Sequence, residues 1–208
     1  LERIMTIHLH KGDLPDGLSF GTSVAVDSET MGLKFRRDEL CVVQLSAGDG
    51  NAHVVQLDRA SYDAPNLKRL LQDERVLKIF HFARFDVAMF RLHLGVTTTP
   101  IYCTKIASKL VRTYTDKHGL KDLTRELLAV DISKAQQSSD WGQEKLTQEQ
   151  LAYAASDVLN LHALKAKLDL MLAREGRTEL AQACFDFLPW RAELDLAGWP
   201  EDDIFAHA

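Results

Sequence analysis

Apolar residues fall in short Val- and Leu-rich runs early in the chain and in helical spacing towards its end. Ser23–Asp27 (SVAVD), Leu40–Ser46 (LCVVQLS) and Ala52–Leu57 (AHVVQL) read as strands bounded by Gly, Asp and Asn. Nothing between them reads as a helix, so an antiparallel meander is expected. The pattern then changes. Asn66–Leu71 reads as a short helix, Val76–Phe82 as a strand and Arg84–Leu94 as a helix. A strand at Ile101–Cys103 precedes helices at Lys105–Thr113 and Leu120–Val130. This second half has the rhythm of βαβ units with parallel pairing. The clearest helix is Gln148–Ala173, where Thr147 and Gln150 fit a capping box. At about 100° per residue, Leu161, Leu164, Leu168 and Met171 form one stripe, ended at Gly176. A last helix is expected over Glu179–Leu188, ahead of an acidic tail, GWPEDDIFAHA. The sum is an α/β fold with a mixed five-stranded sheet flanked by helices.

Composition narrows the class without naming a function. The chain has 208 residues, 46% hydrophobic and 26% charged, which is globular rather than disordered. The longest run free of Asp, Glu, Lys and Arg is the 13 residues Leu92–Thr104, too short for a membrane helix. No linker or repeat divides the sequence, so residues 1–208 read as one domain. Leu1–Ile4 read as residues added ahead of a natural start at Met5. The N-terminus has no secretory h-region. Cys41, Cys103 and Cys184 are odd in number and far apart, which speaks against a disulfide framework or structural zinc and for a reducing cytoplasm. The net charge is −5, against coating long nucleic acid through the overall field. Thr104–Lys134 nevertheless carries a local +3, suited either to phosphate capture over a limited length or to a solvated helix face.

Three acidic features carry the candidate chemistry. Asp27 and Glu29 close the first strand, and residues two apart on a strand point the same way. They are either a solvated strand end or a pair that needs a proton or a cation. Asp86 falls in the first turn of the helix after VLKIFHF, where the helix dipole alone would favour it, yet its flanks are apolar. Tyr153 and Asp157 share a helix face with the apolar stripe. Asp157 therefore points inwards, towards a buried Arg or Lys or towards a metal. Taken together, Asp27, Glu29, Asp86 and Asp157 form an oxygen-rich set that would select hard cations such as Mg²⁺ or Mn²⁺.

D-x-E on the first strand, an Asp after the fourth and Y-x-x-x-D on a late helix resemble the DEDD 3′→5′ exonucleases, tyrosine subclass, of the RNase D type. HFARFD, CTKIASKL, HGLKDL, the segment Ser138–Trp141 and QLAYAASDV follow the family's order over Ser23 to Leu164. The compact length, TYTDKHGLKDL and the C-terminal segment resemble its small diribonuclease branch. No helical HRDC domain is expected. The resemblance implies an RNase H-like fold and two divalent cations, Mg²⁺ or Mn²⁺. Asp27, Glu29 and Asp157 would hold the ion that activates water. Asp27 and Asp86 would hold the second, and Tyr153 would orient the water. It further implies hydrolysis of dinucleotides or very short RNA to 5′-mononucleotides, and a ring-like octamer. Substrate contacts are expected at Thr30, Met31, Leu33 (an apolar wedge between bases, or else a core residue), His81 (or else a satisfied strand-end histidine), Lys117, His118 and Trp141, which either lines the pocket or packs under the loop. Two rival readings are a broader exonuclease on longer RNA or DNA, and a non-catalytic RNA-binding relative.

Overall fold

A computed structural model describes residues 6–133 and 135–207. The expectations placed on Leu1–Ile4 and Met5, and on Lys134 of the basic strip, lie outside the described residues. The sheet has six strands: β1 (Thr6–Lys11), β2 (Ser23–Thr30), β3 (Leu40–Ser46), β4 (Asn51–Gln56), β5 (Leu77–Phe80) and β6 (Ile101–Cys103). Their spatial order is β1-β4-β3-β2-β5-β6. The expected meander is present, with β2 antiparallel to β3 and β3 antiparallel to β4, while β5 and β6 add in parallel beyond β2. The sixth strand is β1, parallel to β4 at the sheet edge. Ile7 and Leu9 alternate with polar residues in TIHLHK, but the run is short and its residues are exposed or half-buried, so the sequence reading passed over it.

Among the described residues seven helices cover the sheet: α1 (Pro65–Gln72), α2 (Ala83–Met89), α3 (Thr104–Val111), α4 (Leu120–Leu128), α5 (Gln148–Leu159), α6 (Leu161–Arg174) and α7 (Thr178–Ala197). A π-helical turn, Phe90–Leu94, extends α2. The expected helix Gln148–Ala173 is two helices meeting at Asn160. Leu172, rather than Met171, completes the buried stripe of α6. The last helix runs well past Leu188 with Pro189 inside it. Proline usually ends a helix because it lacks an N–H and crowds the preceding turn. Here side-chain pairs beyond Pro189 hold the continuation, with Arg84 and Arg191 on Asp195 and Arg91 on Glu193.

Two apolar layers sandwich the sheet. The larger joins Val26, Val43, Leu45 and Val55 to Val87, Phe90, Leu164 and Phe185. The smaller joins Val42 and Val54 to Trp141, Leu146, Leu151 and Ala154 on the α5 side. Strand alternation thus sends Asp27, Glu29 and Gln44 to the α5 side, because Asp27 pairs with Gln44 and Gln44 with Val54. The capping box of α5 is formed, with Thr147 Oγ1 accepting from the Gln150 amide at 3.2 Å and Gln150 Oε1 accepting from the Thr147 amide at 2.9 Å. The Gln150 side-chain amide also donates to Ser139 Oγ (2.7 Å) and the Asp140 carbonyl (2.9 Å), tying Ser138–Trp141 to the helix.

On the other side, Arg84 opens α2 and clamps Asp195 through Nε (2.7 Å) and Nη2 (2.6 Å). The Asp195 carboxylate is fully buried and also accepts from Arg191. Removing it strands two guanidinium groups. Asp195→Ala should therefore cost about 3 kcal/mol of stability, roughly 6–12 °C in Tm. Thermal unfolding followed by circular dichroism measures this, and an unchanged Tm would show that the clamp contributes nothing.

Candidate active site

The acid pair sits where β2 leaves its regular pairing. The register with β3 shifts between Glu29 and Thr30, a bulge that turns the strand end out of the ladder. Oxygen atoms of Asp27, Glu29 and Asp157 lie within 4.8 Å of one another. Asp157 reaches this point from α5, which packs against β2 and β3, and it is buried as its helical position requires. Asp86 arrives from α2 in the opposite layer. It is 4% exposed, and Ser28 Oγ donates to its Oδ1 at 2.6 Å. Ser28 points away from Asp27 and Glu29, so Asp86 meets the cluster around the strand end rather than on the same face. Its charge still acts on both Asp27 and Glu29.

Burial and like charge dominate the electrostatics. Burial, followed by the charges of Asp157 and Asp86, pushes the Glu29 carboxyl up to about 9. Burial and the charges of Asp86, Asp157 and Glu29 raise Asp27 well above the usual carboxylate range. Burial raises Asp86 to about 7 against the hydrogen bond from Ser28. Tyr153 is raised by burial and then by Asp157, Glu29 and Asp27, so its phenol is neutral at pH 7. Hydrogen bonds from the Ser28 backbone to Asp27 and from the Gln44 side chain to Glu29 act against this crowding. Clustered oxygen donors without Cys or His fit a hard divalent cation. Beside them the buried Gln44 Oε1 has no hydrogen-bond partner among the described residues.

The acids open into a cleft of about 600 Å³. Thr30, Met31, Leu33, His81 and Tyr153 line it, as do Asp27, Glu29, Asp86 and Asp157. Leu33 is 79% exposed and stands as an apolar blade. The Thr104 hydroxyl donates to the Phe80 carbonyl, so it accepts from His81 Nδ1 at 2.9 Å, which fixes the imidazole tautomer. Three expected contacts are placed elsewhere. Lys117 is exposed in the loop before α4. The His118 ring turns inwards, its Nδ1 2.8 Å from Ser108 Oγ. Trp141 is buried in the smaller core, 6.0 Å from the Tyr153 ring, where it backs that residue instead of facing the cleft.

The basic strip is also not continuous. Arg112 is buried on Glu126 and the Lys117 carbonyl, and Arg125 pairs with Asp131. Lys105 and Lys121 are the strip members that line the cleft among the described residues. Sequence reasoning missed Phe82, Phe85, Ser28 and Gln44. Phe82 lines the cleft in a left-handed conformation, φ 69°, with Lys105 Nζ 4.2 Å from its ring centre. A phenylalanine there is strained, and strain of this kind collects at functional sites. Nothing in the local sequence marks it.

Residues 13–173 match the model of a 3′-5′ exonuclease family. Ribonuclease D of Acidiphilium cryptum (strain JF-5) is 36% identical over 166 residues, covering 80% of this chain and 42% of that protein. The chain spans less than half the length of the curated Ribonuclease D relatives it matches. Among solved structures, Brucella melitensis NrnC with bound Mg²⁺ superposes with a TM-score of 0.94 at 56% identity, covering 98% of this chain and 100% of that one. Brucella melitensis NrnC bound to pGG gives 0.95 at 57% identity, with the same coverage.

The raised carboxyl groups set a pH dependence. Unfolded, these groups ionise near pH 4. Folded, Glu29 holds its proton to about 9 and Asp86 to about 7. The native state therefore binds more protons between these limits, and stability must fall as pH rises through them. In EDTA, Tm should drop from pH 5 to pH 9. Excess Mn²⁺ should remove most of that drop, because a ligand bound only by the native state stabilises it. Calorimetric scans at pH 5, 7 and 9 measure both effects. A Tm in EDTA that rises over this range would contradict the charge crowding.

Proposed function

The chain belongs to the 3′-5′ exonuclease family, and from that premise we propose that it is a metal-dependent 3′→5′ exoribonuclease acting on dinucleotides and very short RNA. The observation that carries this reading is the convergence of Asp27, Glu29 and Asp157 within 4.8 Å at the head of a cleft. Asp27, Glu29 and Asp157 would hold one divalent cation, Mg²⁺ or Mn²⁺, and Asp27 with Asp86 a second. Bound there, such ions supply Lewis acidity that lowers the pKa of water and neutralises charge on a phosphodiester.

The remaining work falls to side chains of the chain itself. The neutral Tyr153 hydroxyl orients the attacking water rather than taking its proton, since a phenol with a raised pKa is a poor base at pH 7. Thr30 and Met31 flank the 3′-terminal sugar, and Leu33 inserts between two bases. His81, Lys105 and Lys121 stand where phosphate oxygens would pass. The products are 5′-mononucleotides. The pGG complex of Brucella melitensis NrnC supports a short substrate, as does a cleft whose cationic lining among the described residues comes from these few side chains. The resemblance to that protein's branch also supports a homo-octamer. The bacterial Ribonuclease D relatives support an enzyme working in the cytoplasm.

A divalent-metal titration with a labelled two-mer and a 20-mer at equal concentration tests the reading. Cleavage should require Mg²⁺ or Mn²⁺ and favour the two-mer. Equal turnover of the 20-mer would point to a broader exonuclease, and no cleavage with Mn²⁺ supplied would point to a non-catalytic RNA-binding protein. Asp157→Asn should lower kcat by at least about a hundredfold, and Tyr153→Phe by about tenfold to a hundredfold, with the fold intact. Retained turnover in Asp157→Asn would remove that residue from the site. Light scattering after gel filtration should give eight times the chain mass.

A further inference from the structure

We propose that Gln44 is a positioning residue that holds Asp27 and Glu29 in the orientation a divalent cation needs, an inference that rests on the metal-dependent reading above. Gln44 lies on β3, directly across from Asp27 in the antiparallel pair. Its side chain is completely buried, within a strand (LCVVQLS) that is otherwise apolar but for its last residue. A polar amide in such a place is a local exception to the pattern, and such exceptions gather at functional positions.

The amide donates to both members of the acid pair. Gln44 Nε2 lies 2.7 Å from Asp27 Oδ2 and 3.4 Å from Glu29 Oε1. One oxygen of each carboxylate is thereby engaged, which fixes its rotation and leaves its second oxygen uncommitted to Gln44. The donor is neutral. A lysine or arginine at the same point would hold the acids equally well but would cancel the negative charge that attracts a cation. Gln44 restrains the pair and leaves its charge available. Side chains that orient metal-holding groups from behind affect affinity almost as strongly as the groups themselves. The other end of the amide, Oε1, is buried without a hydrogen-bond partner among the described residues. An open acceptor in a dry interior is costly, which argues that the amide is kept there for its donor end.

Gln44→Met keeps the volume and removes the donor. Mn²⁺ binding to the substrate-free protein, read by electron paramagnetic resonance of the free ion, should weaken by about tenfold to a hundredfold. At saturating Mn²⁺, kcat on a labelled dinucleotide should fall while KM stays unchanged, a split that a packing role would not produce. Gln44→Leu carries the same test should the methionine variant lose its cooperative unfolding transition. Wild-type Mn²⁺ affinity and wild-type kcat in a folded Gln44 variant would overturn the proposal while leaving the exonuclease reading intact, provided that Asp157→Asn in parallel loses both. A wild-type protein that neither binds Mn²⁺ nor cleaves would overturn the reading and the proposal with it.

Discussion

Crowded negative charge at the end of β2 is the constraint on which the rest of this structure turns. Asp27, Glu29 and Asp157 share a space of a few ångströms, with Asp86 adding its charge from the opposite layer. Four such groups cannot all ionise there unless something positive joins them. Neutral groups also hold the acids in place: the Gln44 amide donates to Asp27, the Ser28 hydroxyl to Asp86, and the Tyr153 phenol stands by Asp157.

The arginines serve elsewhere. Arg84 and Arg191 close on Asp195 and hold α7 against the start of α2, two residues from Asp86. Arg112 is buried against Glu126 and the Lys117 carbonyl, bracing the loop that leads into α4. Arg59 pairs with Glu39 and donates to the Gly142 carbonyl, close to where Met31 packs on the same glycine. A Cβ at Gly142 would meet Met31 Sδ at 2.4 Å, so that position accepts only glycine while Met31 stays in place. Lys105 and Lys121 line the cleft itself.

Two separate layers meet at one point for a geometric reason. Successive residues of a strand face opposite sides, so Asp27 and Glu29 look towards α5 while Ser28 looks towards α2. A site confined to one face could use only one of those helices. At the end of β2, where the bulge releases the strand from its partner, both layers become accessible at once. Asp157 comes from one layer and Asp86 from the other. On the proposed reading, this is what allows one strand end to serve two cations.

Much of this was legible in the linear order of residues. The Val-rich meander, the parallel strands after it and the capping box at Thr147 follow from local rules of alternation and end-capping, and they place D-x-E at a strand end and Tyr153 and Asp157 on one buried face. Those rules act over two to four residues, and a sequence states them directly. β1 was passed over although Ile7 and Leu9 alternate with polar residues, because the run is short and its strand state depends on pairing with β4, some 45 residues away. The continuation of α7 past Pro189 was hidden for the same reason, since distant arginines hold it. Gln44 stands out in the sequence only as a polar residue in an apolar strand, and Ser28 not at all, and it is the register that sets one across from Asp27 and the other against Asp86. His118 and Trp141 sat beside the right segments in the chain, but packing turned one ring towards Ser108 and buried the other behind Tyr153. Which acids exist is a property of the chain; which neutral groups hold them, and which neighbours face the cleft, depend on contacts across tens of residues that only the folded arrangement sets.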